Sequence, residues 1–329
     1  MPRSSFSLLN LLVVAVGAGL LAFTIRQVGW DAIVSGITSL GWGFLAVLVL
    51  GVIRVLVRAF AWVACVDVAA EGQTGRTLPL RDAFGAMLSA DALGNLTPLG
   101  LLASEPAKVL LARGRVSTVT SVASVAIENL FYTVSVMAVL LAGTWMLLQR
   151  ANAPPALEKA AEAVVLAAAA AGVVGVWAAR TRPAVLTAAA PFVARLAGRS
   201  AAPADAMIDV EARLYGVLRW PLLRLAHVGL WEALFHAAAV AEVWLVLRLL
   251  PGGGRTGLTE AFLMESAGRF VTVAFKFIPY RLGVDEAGSG AVAQVLGLNP
   301  AVGVTLALVR RLRILVLNAV GLALLVRRR

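Results

Sequence analysis

The sequence is poor in the residues from which disulfide frameworks, metal centres and most hydrolytic sites are built. It has one cysteine, so no internal disulfide can form, and two histidines, too few for a typical structural zinc site. It contains no G-x-x-x-x-G-K-[ST] motif, which excludes an ATP-binding loop of that type. We therefore expect no metal, no cofactor and no catalytic residues.

Charge is scarce as well. Only 14% of the 329 residues are charged, 60% are hydrophobic and the mean hydropathy is +0.88. This composition predicts an all-α integral membrane protein in which residues 1–329 form a single transmembrane domain. The formal net charge of +11 comes from arginines at the ends of apolar stretches. That pattern is typical of cytoplasmic loops beside anionic lipid, so we expect no nucleic-acid partner.

Six apolar stretches are long enough to cross a bilayer, at about 20 residues per span. They are Leu8 to Ile25, Phe44 to Val66, Val116 to Leu148, Ala160 to Ala179, Leu225 to Leu247 and Ala301 to Val326. The first has no clear cleavage site, so we interpret it as a retained helix. Two further regions, about 80–115 and 258–298, are apolar on average but are broken in the middle by proline, glycine and charge.

The segment 180–224 sets the predicted topology. It holds seven arginines against three acids, and its "DAMIDVEARLYGVL" has apolar residues at helical spacing. We predict a cytoplasmic loop with an amphipathic surface helix, which places the N-terminus and the C-terminus in the cytoplasm as well.

The two broken regions resemble each other. Both open L-x-[acid]-A-F, and both reach a proline, Pro98 or Pro279, that is followed seven residues later by a glutamate. We predict an inverted repeat of residues 80–148 and 258–326, because the arginine pattern makes the first unit begin inside and the second begin outside. Such repeats place a substrate site near the membrane midplane.

Each broken region is predicted to form a re-entrant helical hairpin beside the six spans. If the hairpins cross the membrane fully, the chain has eight to ten membrane helices. Non-helical backbone at this depth requires a cavity or surrounding protein, so we expect Asp285 and Glu286 to face a cavity. The predicted turn residues are Pro98, Gly100, Pro279 and Gly283.

Ionisable side chains within spans are functional candidates because burying them costs several kcal/mol. The substrate-binding candidates are Glu105, Glu128, Asp285, Glu286, Arg281, Arg310, Arg311, Arg54 and Arg58. Candidates for lining a cavity or coupling protons are Asp91, Glu232, His236, Glu265, Arg269 and Lys276. Arg310 and Arg313 share a helix face and could hold a lipid phosphate. The alternative stays open that these charges are structural ion pairs or, for Arg54 and Arg58, that they only snorkel toward the cytoplasm.

The sequence resembles a flippase-like membrane family related to the transmembrane region of lysylphosphatidylglycerol synthases and to hopanoid-biosynthesis-associated membrane proteins. The matching segments are "IRVLVRAFAW", "GNLTPLGLLASEPAKVLLARGRVSTVTSVASVAIENL" and "ESAGRFVTVAFKFIPYRLGVDEAGSGAVAQVLGLNPAVGVTLALVRRLRILV". The resemblance implies movement of an amphipathic or polyprenyl-linked lipid between leaflets of a bacterial-type inner membrane. Arg281 departs from the glycine-richer turn of many relatives, and we expect headgroup selectivity there.

These observations favour a lipid transporter in which arginines hold a phosphate and acids hold a cationic group or a proton. The alternative is a membrane scaffold or accessory subunit for a lipid-synthesising or lipid-modifying enzyme. In the synthases, an aminoacyl-transferring soluble domain follows the membrane region. This sequence stops at Arg329, so we expect no synthase activity.

Overall fold

A computed structural model describes residues 40–70, 77–96, 100–149, 155–196, 204–253, 256–275 and 283–327, together with the single positions 26, 31, 35, 38 and 281. The predicted first span, Pro98, Lys276 and Pro279 lie outside the described residues. The described helices are α1 (Gly43–Ala69), α2 (Leu80–Leu96), α3 (Gly100–Leu111), α4 (Thr118–Leu148), α5 (Pro155–Thr181), α6 (Val185–Leu196), α7 (Ala204–Gly216), α8 (Leu222–Leu249), α9 (Leu258–Ala274), α10 (Val284–Val295) and α11 (Pro300–Arg327).

Four of these helices are long and apolar enough to cross a membrane: Gly43–Ala69, Thr118–Leu148, Glu158–Thr181 and Leu222–Leu249. At a rise of about 1.5 Å per residue, each exceeds the roughly 30 Å hydrocarbon core. They coincide with four of the six predicted spans. The sixth, Ala301 to Val326, lies within α11, whose central arginines set it apart from these four. The total of six spans stays a prediction.

The two broken regions form pairs of short helices. α2 and α9 each have 17 residues, and α3 and α10 each have 12. Gly100 is the first residue of α3, and Gly283 immediately precedes α10 with a φ of +80°, a conformation that glycine adopts without steric cost. The helix ends on either side of the predicted turns are therefore described, while the turns themselves and re-entry into the membrane stay predictions.

The packing of the helices is reciprocal between the two predicted units. α2 packs against α11, the last helix of the other unit, and α9 packs against α4 in the same way. α1 and α8, which precede the two units, pack against each other. The α2–α11 crossing is close, because the Ser89 hydroxyl donates to the Gly321 carbonyl at 2.9 Å. The contacts of the two units are thus reciprocal, while the repeat and its inversion across the membrane stay predictions.

The segment 180–224 contains two helices, α6 and α7, where the sequence predicted one. α7 covers most of the predicted amphipathic stretch, and its Val210 is fully buried against the apolar side of α4. Arg213 of α7 donates to the Thr120 hydroxyl at 2.8 Å. The amphipathic pattern thus positions α7 against the helical bundle, and the side of the membrane on which it lies stays a prediction.

Candidate functional site: a buried arginine cluster

Glu242 of α8 is the centre of the largest ion-pair network. Its carboxylate is fully buried and lies 2.8 Å from the Arg54 guanidinium of α1. On α11, Arg313 approaches it to 3.1 Å and Arg310 to 3.9 Å. Because burial is tolerated when a charge is paired, this one acid ties α1, α8 and α11 together.

Glu265 of α9 pairs with two further guanidinium groups. It accepts from Arg269 at 2.7 Å, one helical turn away, and from Arg310 at 2.6 Å. Arg269 also donates to the Tyr132 hydroxyl of α4 at 3.0 Å. Arg310 therefore stands between Glu242 and Glu265 and connects α8, α9 and α11.

The start of α10 contributes a third group of charges. Glu286 caps the helix by accepting from the Gly283 amide at 2.9 Å, and it forms an ion pair with Arg311 of α11. Arg281 pairs with Asp285 at 3.0 Å. Arg281 has a φ of +47°, an uncommon backbone conformation for a residue other than glycine.

These groups surround a cavity of about 140 Å³ between α1, α2, α9, α10 and α11. A cavity of 10–15 Å³ already holds one water, whereas drug-sized pockets measure about 300–1,000 Å³. The cavity therefore has the size of a polar headgroup rather than of a whole lipid. We call it the arginine cavity, because six arginines line it: Arg54, Arg269, Arg281, Arg310, Arg311 and Arg313.

Asp285 is the one acid that lines this cavity. Glu242, Glu265 and Glu286 pair with its arginines from behind. Among the residues that the structure describes, six arginines thus face four carboxylates, which leaves two positive charges in excess. The expectation that Asp285 faces a cavity agrees with this geometry, but Glu286 is fully buried behind Arg311 and does not line the cavity.

Some donor atoms of the lining arginines are buried away from the cavity surface. Among the described residues, Arg54 Nε and Arg269 Nη2 are examples that have no hydrogen-bond partner. Both side chains are less than a tenth exposed. A buried donor without a partner costs about 1–3 kcal/mol, and more when it is charged.

Glu128 of α4 anchors a second buried cluster. It accepts from Arg58 of α1 at 3.1 and 2.5 Å and lies 3.7 Å from Lys108 Nζ of α3. Lys108 also pairs with Glu105 at 3.1 Å, and Glu105 accepts from the Asn129 amide at 2.9 Å. The sequence-predicted Glu105, Glu128 and Arg58 are therefore brought together, but away from the residues that line the arginine cavity.

Phe235 of α8 lies between the two clusters. The Arg54, Arg58 and Arg269 guanidinium carbons are 5.0, 5.7 and 4.9 Å from its ring centroid, within the range of cation–π contacts. Asp91 of α2, predicted to line a cavity, is not among the residues that line the arginine cavity.

The predicted pair Glu232 and His236 meets through a third side chain. The Ser135 hydroxyl of α4 lies 3.2 Å from Glu232 Oε2 and 3.0 Å from His236 Nε2. A hydrolytic triad would require the acid to accept from the other ring nitrogen, Nδ1, which has no hydrogen-bond partner among the described residues. The geometry therefore does not match a nucleophilic triad. In the part of the chain that the structure describes, no three His, Cys, Asp or Glu side chains gather as a metal site would require.

Sequence reasoning did not select Glu242 and Lys108. Both are ionisable residues within apolar segments, "AVAEVWLV" and "EPAKVLLA", so the criterion that selected Glu128 would also have found them. Arg313 was recognised only for sharing a helix face with Arg310. Nothing in the sequence pattern indicated Asn95, which lines the arginine cavity from α2.

A family model described as the lysylphosphatidylglycerol synthase TM region matches residues 10–321. The chain belongs to this family. The match covers all the helices that form the two clusters, and with the four apolar helices it identifies a multi-pass membrane protein. No curated protein and no solved structure matches the chain. Membership of the family links the chain to lipid metabolism or transport at a membrane.

Proposed function

We propose that this protein transports a phosphate-bearing lipid between the leaflets of its membrane and holds the phosphate in the arginine cavity. The observation that carries the proposal is the lining of that cavity, where six arginines and one acid surround about 140 Å³ inside an apolar helical bundle. A guanidinium group presents several donors in a planar fork that fits phosphate oxygens.

The electrostatic balance supports an anionic rather than a cationic headgroup. The excess of arginines over acids among the described residues at the cavity favours an oxyanion. The pairing acids keep the empty cavity stable, because an unpaired guanidinium at this depth would cost several kcal/mol. When a phosphate binds, the arginines therefore exchange charge-assisted contacts with carboxylates for charge-assisted contacts with the phosphate.

The size of the cavity supports a mechanism in which the headgroup alone enters the arginine cavity. The acyl chains then remain in an apolar environment while the polar part crosses. No step of this mechanism requires a chemical change in the lipid, so the driving force is a lipid gradient, an ion gradient or a partner protein.

The test is leaflet exchange by the purified full chain in liposomes that contain an anionic phospholipid with a fluorescent label. We expect the protein to accelerate exchange. Arg54→Gln should slow exchange by roughly 10- to 150-fold, the equivalent of one lost charge-assisted hydrogen bond of about 1.5–3 kcal/mol. Glu242 keeps Arg313 and Arg310 in this variant, so the fold is retained.

Arg115→Gln is the matched control, because Arg115 is 56% exposed and lies outside the cavity. It should exchange lipid at the rate of the unaltered protein. Equal rates for Arg54→Gln and the unaltered protein would remove the arginine cavity from the mechanism. If the unaltered protein produces no exchange but co-purifies with a lipid-modifying enzyme, the scaffold hypothesis replaces the transporter.

A further inference from the structure

A second cavity, of about 220 Å³, lies between α4, α5, α9 and α10. Among the residues that the structure describes, no charged side chain lines it, and Thr144 and Ser266 are the only lining residues with a hydroxyl. The rest of its wall is aliphatic, aromatic or glycine, and includes Leu147, Val164 and Phe270. We call it the apolar pocket.

The apolar pocket and the arginine cavity share one wall. On α9, Ala267 and Phe270 line the apolar pocket, whereas Gly268 and Arg269 line the arginine cavity. Val271 lines both. Successive residues of a helix are turned by about 100°, so these positions of α9 fall on two different faces, and Val271 lies at the boundary between them.

At this point the apolar pocket and the arginine cavity are separated by a single side chain that packs against a glycine. Val271 of α9 lies over Gly288 of α10, where an added Cβ would come within 2.8 Å of Val271 Cγ2. On α10 the division continues, with Gly288 in the apolar pocket and Ser289 in the arginine cavity. A polar site and an apolar site therefore adjoin across the thinnest part of the α9–α10 pair.

We propose that the apolar pocket holds an acyl chain of the same lipid molecule whose phosphate lies in the arginine cavity. This inference rests on the proposed function, which supplies the phosphate. It goes beyond it by assigning a second site and by defining the substrate as one molecule that spans Val271 and Gly288, with the headgroup on one side and a chain on the other.

The surroundings of the apolar pocket identify the occupant. Two of its walls are α4 and α5, which are long and apolar enough to cross the membrane. The outer faces of these helices expose Trp145 and Leu166, as expected for contact with hydrocarbon. An uncharged pocket with two such helices as walls suits a hydrocarbon chain. Among lipids with acyl chains, the adjoining arginines favour those that carry a phosphate.

The first arm of the test maps the chain. The full chain is reconstituted with a phospholipid that carries a photoreactive diazirine near the end of one acyl chain, and adducts are located by mass spectrometry. We expect adducts on Leu147, Val164 and Phe270. Ala267→Phe, which fills the pocket from α9, and Ala160→Phe, which fills it from α5, should abolish these adducts. Ala169→Phe, on the exposed face of α5, should leave them unchanged.

The second arm tests whether one molecule occupies both sites. A diacylglycerol with the same photoreactive chain but no phosphate is compared with the phospholipid. Arg54→Gln should reduce pocket labelling by the phospholipid and leave labelling by the diacylglycerol unchanged. Equal labelling by the phospholipid in Arg54→Gln and in the unaltered protein would overturn the inference, since the chain would then bind independently of the cavity.

The two proposals fail in different ways. Absence of pocket adducts, combined with leaflet exchange that still depends on Arg54, overturns the acyl-chain site and leaves the transporter in place. Adducts that depend on Arg54, combined with no leaflet exchange, support the two-part lipid site and overturn transport.

Discussion

Removal of the Glu265 charge should destabilise the protein strongly. The carboxylate is fully buried and contacts Arg269 at 2.7 Å and Arg310 at 2.6 Å. At an effective dielectric constant of about 20, each contact contributes roughly 6 kcal/mol of attraction before desolvation is subtracted. Arg310 keeps a contact with Glu242, at 3.9 Å. Among the described residues, Arg269 keeps the Tyr132 hydroxyl as its one polar partner, beside its contact with the Phe235 ring.

Glu265→Gln should therefore lower the free energy of unfolding by about 3–5 kcal/mol, the cost typical of a buried pair from which one partner is removed. The measurement is equilibrium unfolding of the purified protein in detergent, followed by far-UV circular dichroism. Because Glu265→Gln/Arg269→Gln removes both charges, it should recover part of the loss, as a double-mutant cycle would show.

The control for this series is the exposed Arg115–Asp82 pair, in which Arg115 Nε lies 2.8 Å from Asp82 Oδ2. Arg115→Gln should change the free energy of unfolding by less than about 1 kcal/mol, because water screens exposed pairs. A loss below about 1 kcal/mol for Glu265→Gln, equal to that of the control, would refute the reasoning that burial makes these pairs costly to break.

Three further changes test the packing and the sites. Gly321→Ala should lower the unfolding free energy by about 1–3 kcal/mol because its Cβ would lie 2.3 Å from a backbone carbonyl of α2, whereas Gly172→Ala, with open space around it, should raise it by up to about 1 kcal/mol. The free energy of unfolding of Arg281→Gly should be about 1 kcal/mol higher than that of Arg281→Ala, because φ is +47° at this position. Both variants should slow lipid exchange equally. Lys108→Met should lower the free energy of unfolding by about 3 kcal/mol. The double variant Lys108→Met/Glu105→Gln should recover part of that loss. Denaturant titration measures each difference, and an inverted order of the glycine pair or of the Arg281 pair would contradict the geometry.

Composition was sufficient to predict the long helices and the breaks between the short ones. The four apolar helices follow from runs of hydrophobic residues, and the interruption before α10 follows from Gly283, which adopts a positive φ. The amphipathic helix predicted in 180–224 corresponds to α7, and the structure adds α6 before it. α6 contains a proline, Pro191, which favours a break over a helix in a sequence pattern, yet α7 packs against α6 and stabilises it.

The candidate site was predictable as a set of residues but not as a set of pairs. Ionisable residues in apolar segments are rare enough to be recognised individually, which selected Arg54, Glu265 and Arg310. Their pairing depends on which helices pack together. Arg54 and Glu242 are 188 positions apart, and no local pattern connects them. The separation of Glu128 from the arginine cavity is likewise a consequence of tertiary packing.

The two predicted repeat units carry opposite charges at their centres. In the first, α4 supplies the acid Glu128, and the cations come from α1 and α3. In the second, α11 supplies the arginines, and the acids come from α8, α9 and α10. If the units descend from one ancestral repeat, their backbones have stayed alike while their charges have reversed. An anionic headgroup then has one arginine cavity, in the second unit, because the acid at the centre of the first unit would repel it. Arg58→Gln leaves Glu128 with Lys108 alone, so it should affect the free energy of unfolding more than the binding of an anionic lipid. Arg54→Gln should affect the binding of an anionic lipid more than the free energy of unfolding.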